Sequence, residues 1–325
     1  MIETRVSADG LNFNQFGKRY RKVDGDEKVT GRAVFGADFT APGSLFAKIV
    51  RSPHAHARIL SIDTSEAEAM PGVETVCTAA DFPSEVSGDV DTGEVEIGIQ
   101  FLANLIMGRR KALFEGHPVA AVAATDIHIA EEAAKRVKVE YDVLPAVTDP
   151  IEAMSPEAPL LHEGLIATSL SGSADQPSNI AGHMEGGKGD VEQGFAESDV
   201  VIERTYKTAL VHQGYIEPEA ETVHWHADGR MDVWANSQGS FPLRQNMSNL
   251  LGLDVSKIKV IPLEVGGAFG AKNTPRVTPV AAILSRKSGK PVKIVLNREE
   301  VLKATGPASG AVVTVKMGAT KDGIL

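Results

Sequence analysis

The chain carries a single cysteine, Cys77, among 325 residues. That excludes an internal disulfide framework and makes the cytoplasm the expected compartment. It also excludes an iron–sulfur cluster held by this chain alone, which needs about four thiolates. Cys77 itself sits in VETVCT, a strand pattern, and is expected to be a buried structural thiol. Basic residues are short as well: 33 Lys and Arg stand against 43 Asp and Glu, a net charge of −10. No nucleic acid is expected as a partner, because phosphate contacts need clustered cations. No apolar run approaches the roughly 20 residues of a membrane span. The opening MIETRVSADGLNF has neither the basic nor the apolar region of a secretory signal. The chain also lacks the dinucleotide fingerprint GxGxxG and a P-loop ending in GK[ST].

What is present is a soluble, globular composition, 42% hydrophobic and 23% charged. Residues 1–43 are polar and glycine-containing and read as an ordered arm packed on the surface, not a helix. LFAKIV and RILSID alternate as strands, SEAEAM is a short helix with capping-box spacing from Ser65 to Glu68, and Pro71-Gly72 stop it before VETVCT. A similar unit follows, with the strand VAAVAA, a helix bearing Ile129, Ala130, Ala133, Ala134 and Val137 on one face, and the strand VKVEYDV. Five prolines between Pro145 and Pro177, with serines and glycines, mark an extended linker. Beyond it, ETVHWHA and RMDVWAN flank Asp228-Gly229, a hairpin signal. SFPLRQNMSNLL and TPVAAILSRKS read as helices closed by Gly252 and Gly289, with KIKVIP and PVKIVL as strands. GAVVTVKMGA runs as a strand into the turn Lys321-Asp322-Gly323. A turn without a return strand leaves an open edge, so a second polypeptide or a continuation of this one is expected to supply the next strand.

The stretch EVGGAFGAKN, residues 264–273, follows an apolar strand and offers chemistry through its backbone. Gly266 and Gly267 admit positive φ and let a ligand approach without meeting a Cβ. Successive N–H groups in such a turn form a nest for anionic oxygen, and a helix starting near Pro275 would add a positive partial charge. Phe269 is placed to wall the site against water. A purely structural glycine turn would give the same letters.

In its surroundings the loop is more telling. EVGGAFGAKN, then a helix, then GKPVKIVLNREE, resembles the signature of the large subunit of the molybdenum hydroxylase (xanthine oxidase/xanthine dehydrogenase) family, whose form is close to GGGFGGK, helix, GRPV, TREE. KVDGDEKVTGRAVFGADF, RSPHAHARILSIDTSEAEAMPGV, FEGHPVAAVAATDIHIAEEAAKRVKVEYDVLPAV, GDVEQGFAESDVVIERTYKT and HQGYIEPEAETV resemble further family segments in the same order. The resemblance spans nearly the whole chain. It implies an α+β fold: the arm and the aldehyde oxidase/xanthine dehydrogenase a/b hammerhead domain in residues 1–145, the linker in 146–190, and the first lobe of the molybdopterin-binding domain in 191–325.

It also implies roles. Gly266, Gly267, Ala268, Phe269 and Gly270 would contact a molybdopterin cofactor through backbone amides, with Phe269 and Gly270 closest to the metal. Gln238, in WANSQGSF, would donate its amide to an oxo ligand of molybdenum, although its spacing suits a cap on the following helix equally well. No residue of this chain would ligate the metal directly. The sequence departs from the family pattern at Ala268 and Ala271, which replace glycines, and at Asn273, where purine-oxidising members carry glutamate; xanthine is disfavoured as substrate. The family's catalytic glutamate and an FRGFG-like segment lie in the second half of a chain over twice this length, and neither motif occurs here. The chain therefore resembles the N-terminal piece of a split subunit, as in nicotinate dehydrogenase. The implied partners are a second molybdopterin-binding subunit, a [2Fe-2S] subunit and an FAD subunit. The implied cofactor is a molybdenum-bearing molybdopterin, plain or in the cytosine dinucleotide form. The implied chemistry is oxidation of a small N-heteroaromatic or aldehyde-like molecule with water-derived oxygen. The rival readings are a reductive dehydroxylase of the 4-hydroxybenzoyl-CoA reductase branch and a non-catalytic assembly protein. His224 and His226, alternating on one strand, read as half-exposed strand residues. Glu217, Glu219 and Glu221 read as a solvated strand face, and His54 and His56 as structural.

Overall fold

Seven of the apolar stretches meet in one sheet. The computed structural model describes residues 18–325 apart from 87–88, 92–95, 167, 170–171 and 174. In chain order its main elements are β1 (Leu45–Arg51), β2 (Ala57–Asp63), β3 (Val73–Thr78), α1 (Ile99–Ile106), β4 (Pro118–Ala124), α2 (Ile127–Ala134), β5 (Lys138–Val143), α3 (Val191–Glu197), β6 (Val200–Thr208), β7 (Ala220–Trp225), β8 (Met231–Ala235), α4 (Ser240–Leu251), β9 (Ile258–Pro262), α5 (Thr278–Ser288), β10 (Val292–Val295), α6 (Arg298–Ala304) and β11 (Ala311–Ala319). The large sheet has the order β9-β8-β7-β10-β1-β4-β3. The β8–β9 and β1–β10 pairs are parallel and the rest antiparallel.

Sequence pattern accounts for much of this. Leu45, Ala47 and Ile49 of β1 point into the core while their neighbours are partly exposed. Every residue of β4 is buried, as expected of an unbroken apolar run in a strand covered on both faces. The first eight residues of α5, Thr278 to Ser285, are also all buried, so this helix is the spine of the core. Gly252 and Gly289 close α4 and α5 in the left-handed conformation, with φ of 62° and 69°. β2 pairs with β5 and with Lys111–Ala112 in a small side sheet. Cys77 is buried in β3, and burial raises its thiol pKa well above the ordinary value.

Three features depart from the sequence expectations. The arm contains a short helix, Gly25–Val29, favoured by Asp26 and Glu27 in its first turn; residues 18–34 belong to a unit of their own. The capping box at Ser65 is not formed: Asp63 Oδ1 takes both the backbone N–H and the hydroxyl of Ser65, at 3.0 and 2.6 Å. Helices α1, α3 and α6 carried no expectation. In α6 the signal was present, since Asn297 and Glu300 form a reciprocal capping box.

The proline-rich stretch separates two runs of strands in sequence, but the sheet crosses it. β1, β3 and β4 precede the stretch and β7 to β10 follow it, joined where Leu45 and Ala47 lie beside Val292 and Ile294. One unit accordingly runs from Phe35 to Leu325. Among the described residues, β6 and β11 pair only with each other, and no helix is long and apolar enough to cross a membrane. The turn at Lys321-Asp322-Gly323 forms as expected, with Gly323 at φ 79°.

Candidate cofactor site

Because β8 and β9 are parallel, with Ala235 beside Pro262, both chains leave the sheet at the same edge. Carboxyl ends of neighbouring parallel strands are where open α/β sheets bind ligands. The chain after β8 brings Gln238 to this edge, and the chain after β9 brings the glycine loop. The two are bonded together. Gln238 Oε1 accepts the N–H groups of Gly270 and Lys272 at 3.1 and 3.2 Å, and Gln238 N donates to Lys272 O at 3.2 Å. Two donors facing one oxygen fix the orientation of the amide, leaving Nε2 as its free donor. Gln238 does not cap α4, whose N-cap is Gly239 with no side-chain bond.

A buried acid fastens the other side of the loop. Glu217 Oε2 accepts Gly266 N–H and Lys272 Nζ, both at 2.7 Å, and Glu217 Oε1 accepts Gly36 N–H at 3.2 Å. Lys272 also bonds Glu217 O at 3.0 Å and lies over the Tyr215 ring. A Cβ at Gly266 would fall 2.7 Å from Glu217 Cβ, so only glycine permits this approach. The expectation of a solvated face at Glu217, Glu219 and Glu221 is thus overturned: all three are buried, with exposures of 9%, 3% and 6%. Glu219 accepts from Tyr215 Oη at 2.6 Å, and Thr278 Oγ1 donates to Glu221. Burial pushes the Glu221 carboxyl up to about 7. The spacing i, i+2, i+4 puts these acids on one face. Which face is buried depends on Lys272 and Thr278, some 55 residues downstream.

Between these fastenings the loop backbone is strained and free. Gly267, Phe269 and Gly270 have φ of 99°, 54° and 96°, and Phe269 is the only described non-glycine residue in that region. Its ring is 72% exposed, standing in solvent in this chain. Left-handed backbone at a bulky residue costs energy and collects at functional sites. Ala268, which replaces a family glycine, is not in the left-handed region. The N–H groups of Gly267, Ala268 and Phe269 make no hydrogen bond among the described residues. They are the donors of an amide nest. The helix end expected near Pro275 lies further on, at Thr278, and is buried, so the nest acts without it. Asn273 is exposed at the end of the loop, its N–H bonded to Gly270 O at 3.4 Å.

The other sequence candidates lie elsewhere. The His224 and His226 rings are 4.0 Å apart and half-exposed, with His226 bonded to Asp232. No described group of three or more His, Cys, Asp or Glu is placed to hold a metal. His56 is buried, its Nδ1 at 2.8 Å from Pro145 O. Sequence reasoning missed Glu217 and Lys272 as the loop's clamp; both lay inside the family-like segments HQGYIEPEAETV and EVGGAFGAKN.

The chain matches known protein families over most of its length. Residues 30–145 match the aldehyde oxidase and xanthine dehydrogenase a/b hammerhead domain, and residues 173–325 match the molybdopterin cofactor-binding domain. The chain is 32% identical to the nicotinate dehydrogenase large molybdopterin subunit of Eubacterium barkeri, over 97% of this chain and 69% of that one. It is 33% identical to a probable xanthine dehydrogenase subunit of Bacillus subtilis, over 94% of this chain and 38% of that one. Its fold is similar to that of the aldehyde oxidoreductase of Desulfovibrio gigas, with a TM-score of 0.76 at 26% identity, covering 98% of this chain and 34% of that one. The chain belongs to the aldehyde oxidase/xanthine dehydrogenase family of molybdenum-dependent oxidoreductases, with a hammerhead domain followed by a molybdopterin-binding domain. It spans from about a third to about two thirds of the length of these relatives.

Proposed function

We propose that this chain is part of the molybdopterin-binding portion of a heteromeric cytoplasmic hydroxylase, holding the cofactor on residues 266–270 and Gln238. The observation that carries the reading is the loop itself: three unpaired N–H donors, two of them on left-handed backbone, next to an amide whose free Nε2 is fixed in direction. These features fit a molybdopterin bearing oxygen ligands, since each offers a donor and none offers a competing charge. When bound, the group would supply the two-electron oxidation of an N-heteroaromatic or aldehyde-like substrate, with oxygen from water.

The chain's own residues position and neutralise. Gly267, Ala268 and Phe269 donate N–H groups to ligand oxygen, at no reorganisation cost because the loop is clamped before binding. Gln238 Nε2 orients an oxygen without titrating. Glu217 is not a free base: its two oxygens already accept three N–H donors. The proton acceptor and the second wall of the pocket are assigned to a second molybdopterin-binding subunit. Asn273 faces the substrate side and disfavours purines, which a carboxylate there would bind. Iron–sulfur and FAD subunits take the electrons, and the cytosine dinucleotide is the proposed form of the pterin.

The test is purification from the native source through a tag on this chain, followed by metal and pterin analysis. Molybdenum and a cytosine nucleotide, with a second molybdopterin-binding polypeptide, are expected to co-purify. A lone, metal-free chain contradicts the proposal.

A further inference from the structure

A cavity of about 160 Å3 lies between β1, α1 and the segment from Thr274 to Val277. Its apolar wall includes Leu102, Ile106 and Leu296, and two cations border it, Arg51 and Arg276. Arg51 is satisfied, bonding Glu300 at 3.2 Å and Gly116 O at 3.0 Å. Arg276 is not: its Nε is buried without a partner, and its guanidinium makes no hydrogen bond or ion pair with another described residue. Glu219 acts on Arg276 electrostatically without bonding it, and Glu219 Oε2 is also buried without a partner. Proteins do not leave a desolvated cation unpaired without consequence. Water or chloride would serve the charge and leave the apolar wall bare. A cavity of about 150 Å3 takes one benzene-sized ring.

We propose that this cavity binds a small monocyclic aromatic carboxylate, with the carboxylate on Arg276 and the ring against Leu102, Ile106 and Leu296. The site goes beyond the cofactor reading and stands without it. The guanidinium offers a planar fork that matches a carboxylate, and burial, which lowers the Arg276 pKa, strengthens the gain from pairing.

The experiment titrates the full chain, in the complex it purifies with, against benzoate, its neutral isostere benzamide, and acetate, by calorimetry. Benzoate is expected to bind saturably and at least about tenfold more tightly than either control. Arg276→Met is expected to remove that preference while leaving benzamide unaffected, and Arg276→Lys to keep part of it. Absence of saturable benzoate binding, or equal affinity for benzoate and benzamide, overturns the proposal without any variant having to fold. Equal affinity for acetate overturns the aromatic assignment. Molybdenum content in the same preparations reports on the cofactor reading separately.

Discussion

Glu217 shows what a single residue can hide. The sequence placed it on a solvated face, yet it clamps the glycine loop from beneath together with buried Lys272. Removing one partner of such a pair leaves an uncompensated buried charge. Glu217→Ala is expected to cost about 3–5 kcal/mol in denaturant unfolding, and Glu217→Ala combined with Lys272→Met less than the two singly, as a double-mutant cycle would record. Gln238 and Phe269 should behave oppositely. Both are exposed, and Gln238→Ala or Phe269→Ala is expected to lower turnover with little effect on folding. Phe269→Gly should leave stability unchanged or raise it by up to about 1 kcal/mol, since glycine tolerates the left-handed backbone that phenylalanine resists. Unchanged turnover in all three variants would remove the site assignment. The loop's letters were legible because glycine and small residues are conspicuous; the clamp was not, because an acid's burial depends on a partner distant in sequence.

Among the elements, strands and helices with a clear period were readable, and short ones were not. β1, β4 and α5 follow from alternation, from a continuous apolar run and from a capped helix; α1 and α6 are only about two turns long, too short to fix a period. The junction of β7 with α5 carries a pH dependence. The Glu221 carboxyl is raised to about 7 by burial, from an ordinary value of 4.5. The folded state therefore holds this proton more tightly than the unfolded one, so its contribution to stability is full below about pH 4.5 and is lost as pH rises through about 7. Glu221→Gln, which keeps an acceptor for Thr278, is expected to stabilise the chain by about 3 kcal/mol at pH 8 and to change little at pH 4.5. Equal effects at both values would mean that folding does not raise the Glu221 pKa.

At the scale of the whole molecule, the seven-stranded sheet could not have been read from the sequence. The β1–β10 seam joins residues nearly 250 positions apart, and local pattern carries no register over that distance. Among the described residues the β6–β11 ribbon is separate from that sheet. Ile202, Tyr206, Val313 and Met317 lie on one of its faces in cross-strand register and are exposed, while Phe195 of α3 packs against Lys316 on the other. A two-stranded ribbon alone is marginal in water, so the bare face is where the second molybdopterin-binding subunit is expected to dock. Ile202→Lys with Met317→Lys should abolish co-purification of that subunit and leave the unfolding curve of this chain nearly unchanged. The most direct test of the account is anomalous diffraction at the molybdenum edge from crystals of the purified complex. The expected result is one peak beside Gln238 Nε2 and the Phe269 backbone, with the nearest free carboxylate contributed by another polypeptide. A peak remote from residues 266–270, or a reactive carboxylate supplied by this chain, would contradict it.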